Sequence, residues 1–446
     1  MRRALKILGL GVAALVVVVG GFLLYVQIDG IPRYPVEKVA FTAAPTPERL
    51  ARGKELVGTL CAGCHMDPTS RQLTGKHMVD APAEFGVIYS VNITKHPTKG
   101  IGSWTDGEIA YLLRTGVKRD GQYTPPWMVK LPHTSDEDLA SIIAFLRSDD
   151  SMVAASDRDP PGVTRPSFLT KLLCHVAFKK LPYPDRPIAP PPRTDRVAYG
   201  RYMIHARECY GCHSADFKTV NIAEPEKSAG YMGGGNPVLD LRRQPVPSAN
   251  LTPDDETGIG RWSEHDFVVA LRTGFRPDRS LIRYPMQPIP DLSDEEAGAI
   301  YAYLRTVPKL RHAIPRPVSA ASTDLAKLDG KQLYERYGCV SCHGDDGVGL
   351  GDLRQAGEHF PTRDALKLWI QEAPAIRPGT RMPGWKDVIR EQDYEPLMDH
   401  VLQLGRTGAE PFRSVAGVPP GLDAAADQCP RMRAMISSAT CFGTAA

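Results

Sequence analysis

The pattern Cys-x-x-Cys-His occurs three times in this chain of 446 residues, at Cys61–His65, Cys209–His213 and Cys339–His343. At that spacing two thiols form thioethers with a porphyrin and the adjoining histidine ligates its iron, the mode of c-type haem attachment. Two intervening residues let both sulfurs reach their vinyl groups, and the next side chain then lies under the metal. The attachment cysteines are Cys61, Cys64, Cys209, Cys212, Cys339 and Cys342, and the proximal iron ligands are His65, His213 and His343. A structural zinc site wants four ligands brought together, whereas these motifs lie 148 and 130 residues apart. A thioredoxin-like thiol pair needs a strand-to-helix turn in a βαβ context, and none surrounds these motifs. The chain is expected to fold around three covalently attached c-type haems.

Its length fits about three domains. Aromatics make up only 7% of the residues while Gly and Pro number 40 each, a loop-rich composition suited to small domains whose core is largely a haem. The formal net charge of +3 is lowered by haem propionates, and no basic block accompanies aromatics in a nucleic-acid pattern. No nucleic-acid partner is expected.

Arg2, Arg3 and Lys6 precede an apolar run from Ile7 to Ile28. Its 22 positions are enough to span a hydrocarbon core, and no small-x-small cleavage site follows promptly. Positive charge before the span puts the start in the cytoplasm and the rest outside, where haem attachment also takes place in bacteria. The expectation is a retained single-pass anchor over 1–30 in the cytoplasmic membrane, with the haem domains on the periplasmic side.

Comparison of the chain with itself fixes the organisation. Asn92-Ile93-Thr94 recurs as Asn250-Leu251-Thr252, an offset of 158. At the same offset Gly100–Trp104 matches Gly258–Trp262, Leu113–Gly116 matches Leu271–Gly274, and Ala144–Arg147 matches Ala302–Arg305. Thr105 with Glu108, Ser135 with Asp138, Ser263 with Asp266 and Ser293 with Glu296 read as capping pairs that start helices. Thr46-Pro47 starts another helix, running into Cys61. A mainly α fold follows: the anchor, a domain over 45–155, a Pro-rich linker with a short helix over 156–194, and a second copy over 195–310. A linker over 311–326, a smaller third domain over 327–408 and a tail over 409–446 complete it. Glycines 347, 349 and 351 lack a preceding strand, so they read as a turn after His343 rather than a nucleotide loop.

Met128 in Pro-Pro-Trp-Met and Met286 in Tyr-Pro-Met share the offset of 158, and Met382 in Arg-Met-Pro-Gly follows the third motif. They are the expected second axial ligands. Met398 lies in an apolar helical pattern and is expected to pack; Met66, Met78 and Met232 are weaker rivals. A thioether is soft and favours ferrous iron, so His/Met ligation raises the potential and closes the iron to substrate. Arg114 and Arg272 read as solvated charge rather than propionate partners. Cys429 and Cys441 could pair across the tail in an oxidising compartment, leaving Cys174 unassigned.

The order CxxCH, NxT, GIGxW, RTG, PxM, SDE, AxLR, closed by a smaller CxxCH domain, resembles the tri-haem cytochrome c subunits of membrane-bound alcohol and sugar-acid dehydrogenases over roughly 45–410. The resemblance implies three cytochrome c-like helical domains and the axial pairs His65/Met128, His213/Met286 and His343/Met382. It also implies electrons taken from a flavin or quinoprotein dehydrogenase and passed to quinone or a terminal oxidase, without catalysis. The chain departs from those subunits in its amino-terminal anchor. The competing expectation is a multihaem peroxidase or sulfur-compound dehydrogenase with one open iron, for which Cys174-His175 is the suggestive pair.

Overall fold

The computed structural model describes residues 2–278, 280–315, 328–386 and 388–405. The pairing of Cys429 with Cys441, the tail and most of the 311–326 linker lie outside them. The fold is mainly α-helical, with two small two-stranded antiparallel sheets. It divides into two compact units, Met1–Tyr231 and Met232–Ala446. The division falls inside the expected second domain, so that Cys209–His213 belong to the first unit and Met286 to the second.

The first unit begins with α1 (Arg2–Asp29), a helix long and apolar enough to cross a membrane. Its apolar side chains from Leu5 to Tyr25 are exposed, as lipid-facing residues would be, whereas Val26 is buried. Next comes α2 (Pro47–Leu60), with Thr46 accepting a hydrogen bond from Arg49 N and proline in the first turn, where its missing N–H costs nothing. It leads into α3 (Ala62–His65), then α4 (Asp106–Thr115) and α5 (Asp136–Leu146). Leu56 and Val57 of α2 meet Leu139, Ile142 and Ile143 of α5 in the main core. The two helices approach so closely that a Cβ on Gly53 would lie 2.0 Å from Ser141 O.

The short helix expected in the linker is α6 (Phe168–Val176), preceded by strand β2 (Arg165–Pro166), which pairs with β1 (Gly86–Val87). The unit continues with α7 (Arg196–Ala206) and α8 (Cys209–His213).

The second unit opens with a hairpin of β3 (Pro237–Leu239) and β4 (Pro245–Pro247), followed by α9 (Glu264–Thr273) and α10 (Asp294–Leu304). Beyond residue 327 come α11 (Gly330–Arg336), α12 (Cys339–His343), α13 (Ala356–His359), α14 (Arg363–Ile376) and α15 (Tyr394–Leu404). There Leu333, Leu366, Ile370, Leu397 and Met398 form the core.

Local structure recurs at the offset of 158. Helices α4 and α9 both start with a capping box and end on a left-handed glycine, Gly116 and Gly274. Asn92 Oδ1 accepts from Thr94 N and Oγ1 at 2.9 and 2.7 Å. Asn250 Oδ1 does the same with Thr252 at the same distances. Ser135 caps α5 by accepting from Asp138 N at 3.1 Å, as expected, while the Asp138 carboxylate goes to Arg52 and Tyr202. One expectation needs correction. Arg114 is not solvated: it is fully buried, donating to Leu131 O at 2.8 Å and to Asp136 Oδ1 at 2.8 Å. Its counterpart Arg272 pairs with Asp294 and donates to Pro290 O at 3.1 Å.

Candidate functional site

Each Cys-x-x-Cys-His segment folds as one short helical turn, which sets its two cysteines three residues apart on one side. In the first, Cys61 is the C-cap of α2, and its carbonyl accepts from Cys64 N at 3.1 Å and His65 N at 2.8 Å. The other two begin from a left-handed residue, Glu208 (φ 57°) before Cys209 and Gly338 (φ 74°) before Cys339. Gly338 adopts that backbone freely, whereas Glu208 is strained by it.

His65 is buried, and its Nδ1 lies 2.7 Å from Val91 O. A carbonyl on Nδ1 fixes the tautomer and leaves Nε2 available to a metal. Val91 directly precedes Asn92, whose side-chain amide donates to Ser156 O and Arg158 O at 2.9 and 3.0 Å. In the third segment His343 Nδ1 lies 3.3 Å from Gly351 O. The glycine-rich turn folds back onto the attachment helix, with Leu350 N donating to Cys342 O at 2.8 Å. A Cβ on Gly349 would lie 2.2 Å from that same oxygen, so the glycine serves close backbone approach.

The attachment cysteines are partly buried, except Cys212, which is exposed. Burial, with a smaller contribution from Cys64, pushes the Cys61 thiol up to about 12. Burial pushes Cys64 and Cys342 up to about 11, and Cys339 to about 12. Desolvation by the surrounding protein, then the charges of Glu208 and Cys64, push the Cys212 thiol up to about 11.

Met128 packs on the same core cluster as Cys61, Met66 and Trp104. Its N–H donates to Pro125 O at 3.0 Å, and Lys130 Nζ donates to the same oxygen at 2.9 Å, closing the Pro-Pro-Trp-Met turn. Met382 packs on the cluster that carries Cys339 and Val340. Met286 is half-buried in the second unit. Of the rivals, Met398 and Met232 are fully buried.

Two unsatisfied groups bear on whether a haem fits. Thr74 Oγ1 is buried without a hydrogen-bond partner, beside Gly75, whose N–H donates to His65 O at 2.8 Å. Trp385 is 4% exposed, and its Nε1 is likewise unpartnered, within the cluster that holds Cys339 and Met382. A buried donor without an acceptor costs about 1–3 kcal/mol, and a haem carboxylate is an acceptor of the right kind. The imidazole and thioether donors also suit haem iron. Among the described residues no three or more His, Cys, Asp or Glu side chains gather to hold a metal ion.

Cys174 is fully buried against Tyr111, Val117 and Tyr123, and burial pushes its thiol up to about 11. His175 turns instead to Gly30 O at 3.1 Å. Both side chains are taken up by contacts within the protein. Sequence reading missed a buried ion pair between Glu55 on α2 and Arg207, the residue that caps the end of α7. Its signal was a charge shortly before each attachment segment, Glu55 beside Leu56 and Val57, and Arg207 after Ala206.

The family model for subunit III of cbb3-type cytochrome c oxidase matches residues 326–401. The chain is 28% identical over 414 residues to the cytochrome c subunit of the quinone-dependent alcohol dehydrogenase of Gluconobacter oxydans, covering 81% of this chain and 80% of that one. It is 30% identical over 351 residues to the fructose dehydrogenase cytochrome subunit of Gluconobacter japonicus, covering 69% and 67%. With the gluconate 2-dehydrogenase cytochrome c subunit of Pantoea cypripedii it shares 27% identity, covering 68% and 72%.

Proposed function

This chain belongs to the family of dehydrogenase cytochrome c subunits, and on that premise we propose that it is a membrane-anchored tri-haem relay for single electrons. Its role is electron transfer rather than catalysis, as for the relatives, which are named as cytochrome subunits. In this reading residues 45–155, 195–310 and 327–408 each hold one haem through Cys61/Cys64, Cys209/Cys212 and Cys339/Cys342. Each bound haem supplies reversible one-electron chemistry at iron. His65, fixed through Nδ1, would hold iron through Nε2 together with the Met128 thioether. His213 with Met286, and His343 with Met382, would hold the other two. Iron held by two protein ligands would be closed to substrate, and the soft sulfur would keep its potential high.

The observation that carries the reading is the shared cluster: Cys61 and Met128 line one core, and Cys339 and Met382 another. The donor is a dehydrogenase of the alcohol or sugar-acid class and the acceptor is quinone or an oxidase, with the haem domains on the periplasmic side. Pyridine haemochrome analysis against protein concentration tests the count. Three haems per chain are expected, falling to two in Cys209→Ala/Cys212→Ala; fewer than three in the unaltered chain would overturn it.

A further inference from the structure

Helix α6 has one face inside the protein and one outside. Inward, Thr170 Oγ1 donates to Phe85 O at 2.9 Å, and Cys174 is buried among Tyr111, Val117 and Tyr123. The helix is thereby fixed to the first haem domain. Outward, Phe168, Leu169 and Val176 are 40%, 42% and 55% exposed. With half-buried Leu172 they follow the spacing i, i+1, i+4, i+8, a continuous apolar stripe on a helix. Such a stripe needs something to cover it.

What covers it is indicated by the neighbour of α6, which is the end of α1. His175 Nε2 lies 3.1 Å from Gly30 O and 3.4 Å from Asp29 Oδ2. The rings of Tyr25 and His175 meet edge-on at 5.4 Å, and Lys171 Nζ donates to Gln27 Oε1 at 3.3 Å. The apolar run from Ile7 to Ile28 is about 33 Å long as a helix, enough to cross a hydrocarbon core of about 30 Å. Its far end, where α6 docks, therefore lies at headgroup level. The segment 160–184 contains no Asp or Glu but carries Arg165, Lys171, Lys179 and Lys180. Apolar stripe and basic flanks together are the makings of an interfacial helix on an anionic bilayer.

We infer that α6 lies in the membrane–water interface with Phe168, Leu169, Leu172 and Val176 in lipid, docking the first haem domain on the bilayer at a second point. The inference rests on α1 being a retained anchor. It makes the anchor a rigid mount rather than a tether, because α6 joins the span to the haem domain.

The test uses the full-length holoprotein in vesicles of phosphatidylcholine and phosphatidylglycerol, without any dehydrogenase subunit. Leu169→Cys and Val176→Cys, in a Cys429→Ser/Cys441→Ser background, are labelled with a charged maleimide and compared with exposed Asp185→Cys. Fully buried Cys174 is subtracted with the background protein, and an unchanged haem spectrum confirms folding. Rates at least fivefold slower at 169 and 176 than at 185 are expected; anything less overturns the inference. Protection that arises only when a dehydrogenase subunit is added overturns it in favour of a protein partner. Resistance to alkaline carbonate is read in parallel. A chain stripped from the vesicles refutes the anchor, whereas a retained chain with a freely reactive Leu169→Cys thiol refutes the lipid contact alone.

Discussion

Arg207 donates two parallel hydrogen bonds to Glu55, at 2.7 and 2.9 Å, with side chains only 2% and 8% exposed. Glu55 lies on α2, six residues before Cys61, and Arg207 lies two residues before Cys209. The pair ties together the approaches to two attachment segments within one compact unit. Arg52 extends the network, bonding Glu55 at 3.1 Å and Asp138 at 2.7 Å.

Removing one member leaves the other charged in a buried place. Glu55→Ala is expected to destabilise the first unit by about 3–5 kcal/mol, whereas Glu55→Leu/Arg207→Met recovers most of the loss, since apolar residues of like volume replace buried pairs well. Thermal unfolding followed at the haem Soret band checks both. Equal losses in the single and double variants would contradict the pairing.

Acid should act through the same network. Burial pushes the Asp138 carboxyl up, but hydrogen bonds from Arg52 and Tyr202 outweigh it and hold its pKa below the ordinary range. A carboxylate with a depressed folded-state pKa contributes stability that is full above its unfolded value, about 3.9, and is lost as pH falls through the folded value. Unfolding midpoints measured from pH 6 downward should fall less steeply for Asp138→Asn than for the unaltered chain.

The contact at Gly53 admits no side chain without movement. Gly53→Ala is expected to cost about 1–3 kcal/mol by overpacking α2 against α5. Gly20→Ala, with nothing within 4 Å of its added Cβ, should leave the unfolding midpoint of the haem domains unchanged.

Replacing an axial thioether should act on potential and spare attachment. Met286→Ala and Met382→Ala should each lower one haem's potential by about 0.1 V or more, within the roughly 0.8 V span that axial ligands command. Haem-stained gels should still show covalent haem. A spectroelectrochemical titration unchanged in either variant would remove that methionine from the ligand set.

Short-range patterns were readable from the chain itself. Thr46-Pro47, Thr105 with Glu108 and Ser263 with Asp266 start helices because a cap and its partner are three residues apart, and the structure contains those bonds. The packing role of Met398 was legible in its helical spacing. Long-range effects were not. Asp138 keeps its N–H on the Ser135 hydroxyl but gives its carboxylate to Arg52, which α2 brings to it across 86 residues. Arg114 is buried because backbone carbonyls of the Leu131–Thr134 segment gather around its guanidinium, which no local pattern announces. The outward stripe of α6 was visible as apolar spacing, but its docking on the end of α1 depends on contacts such as Lys171 with Gln27, 144 positions apart.

The central claim, three haems each closed by histidine and methionine, is tested most directly by carbon monoxide binding to the fully reduced protein, scaled to total haem. The account expects negligible binding with three haems per chain. Stoichiometric binding at one haem would contradict it, because that iron would lack its protein ligand and stand open to a substrate.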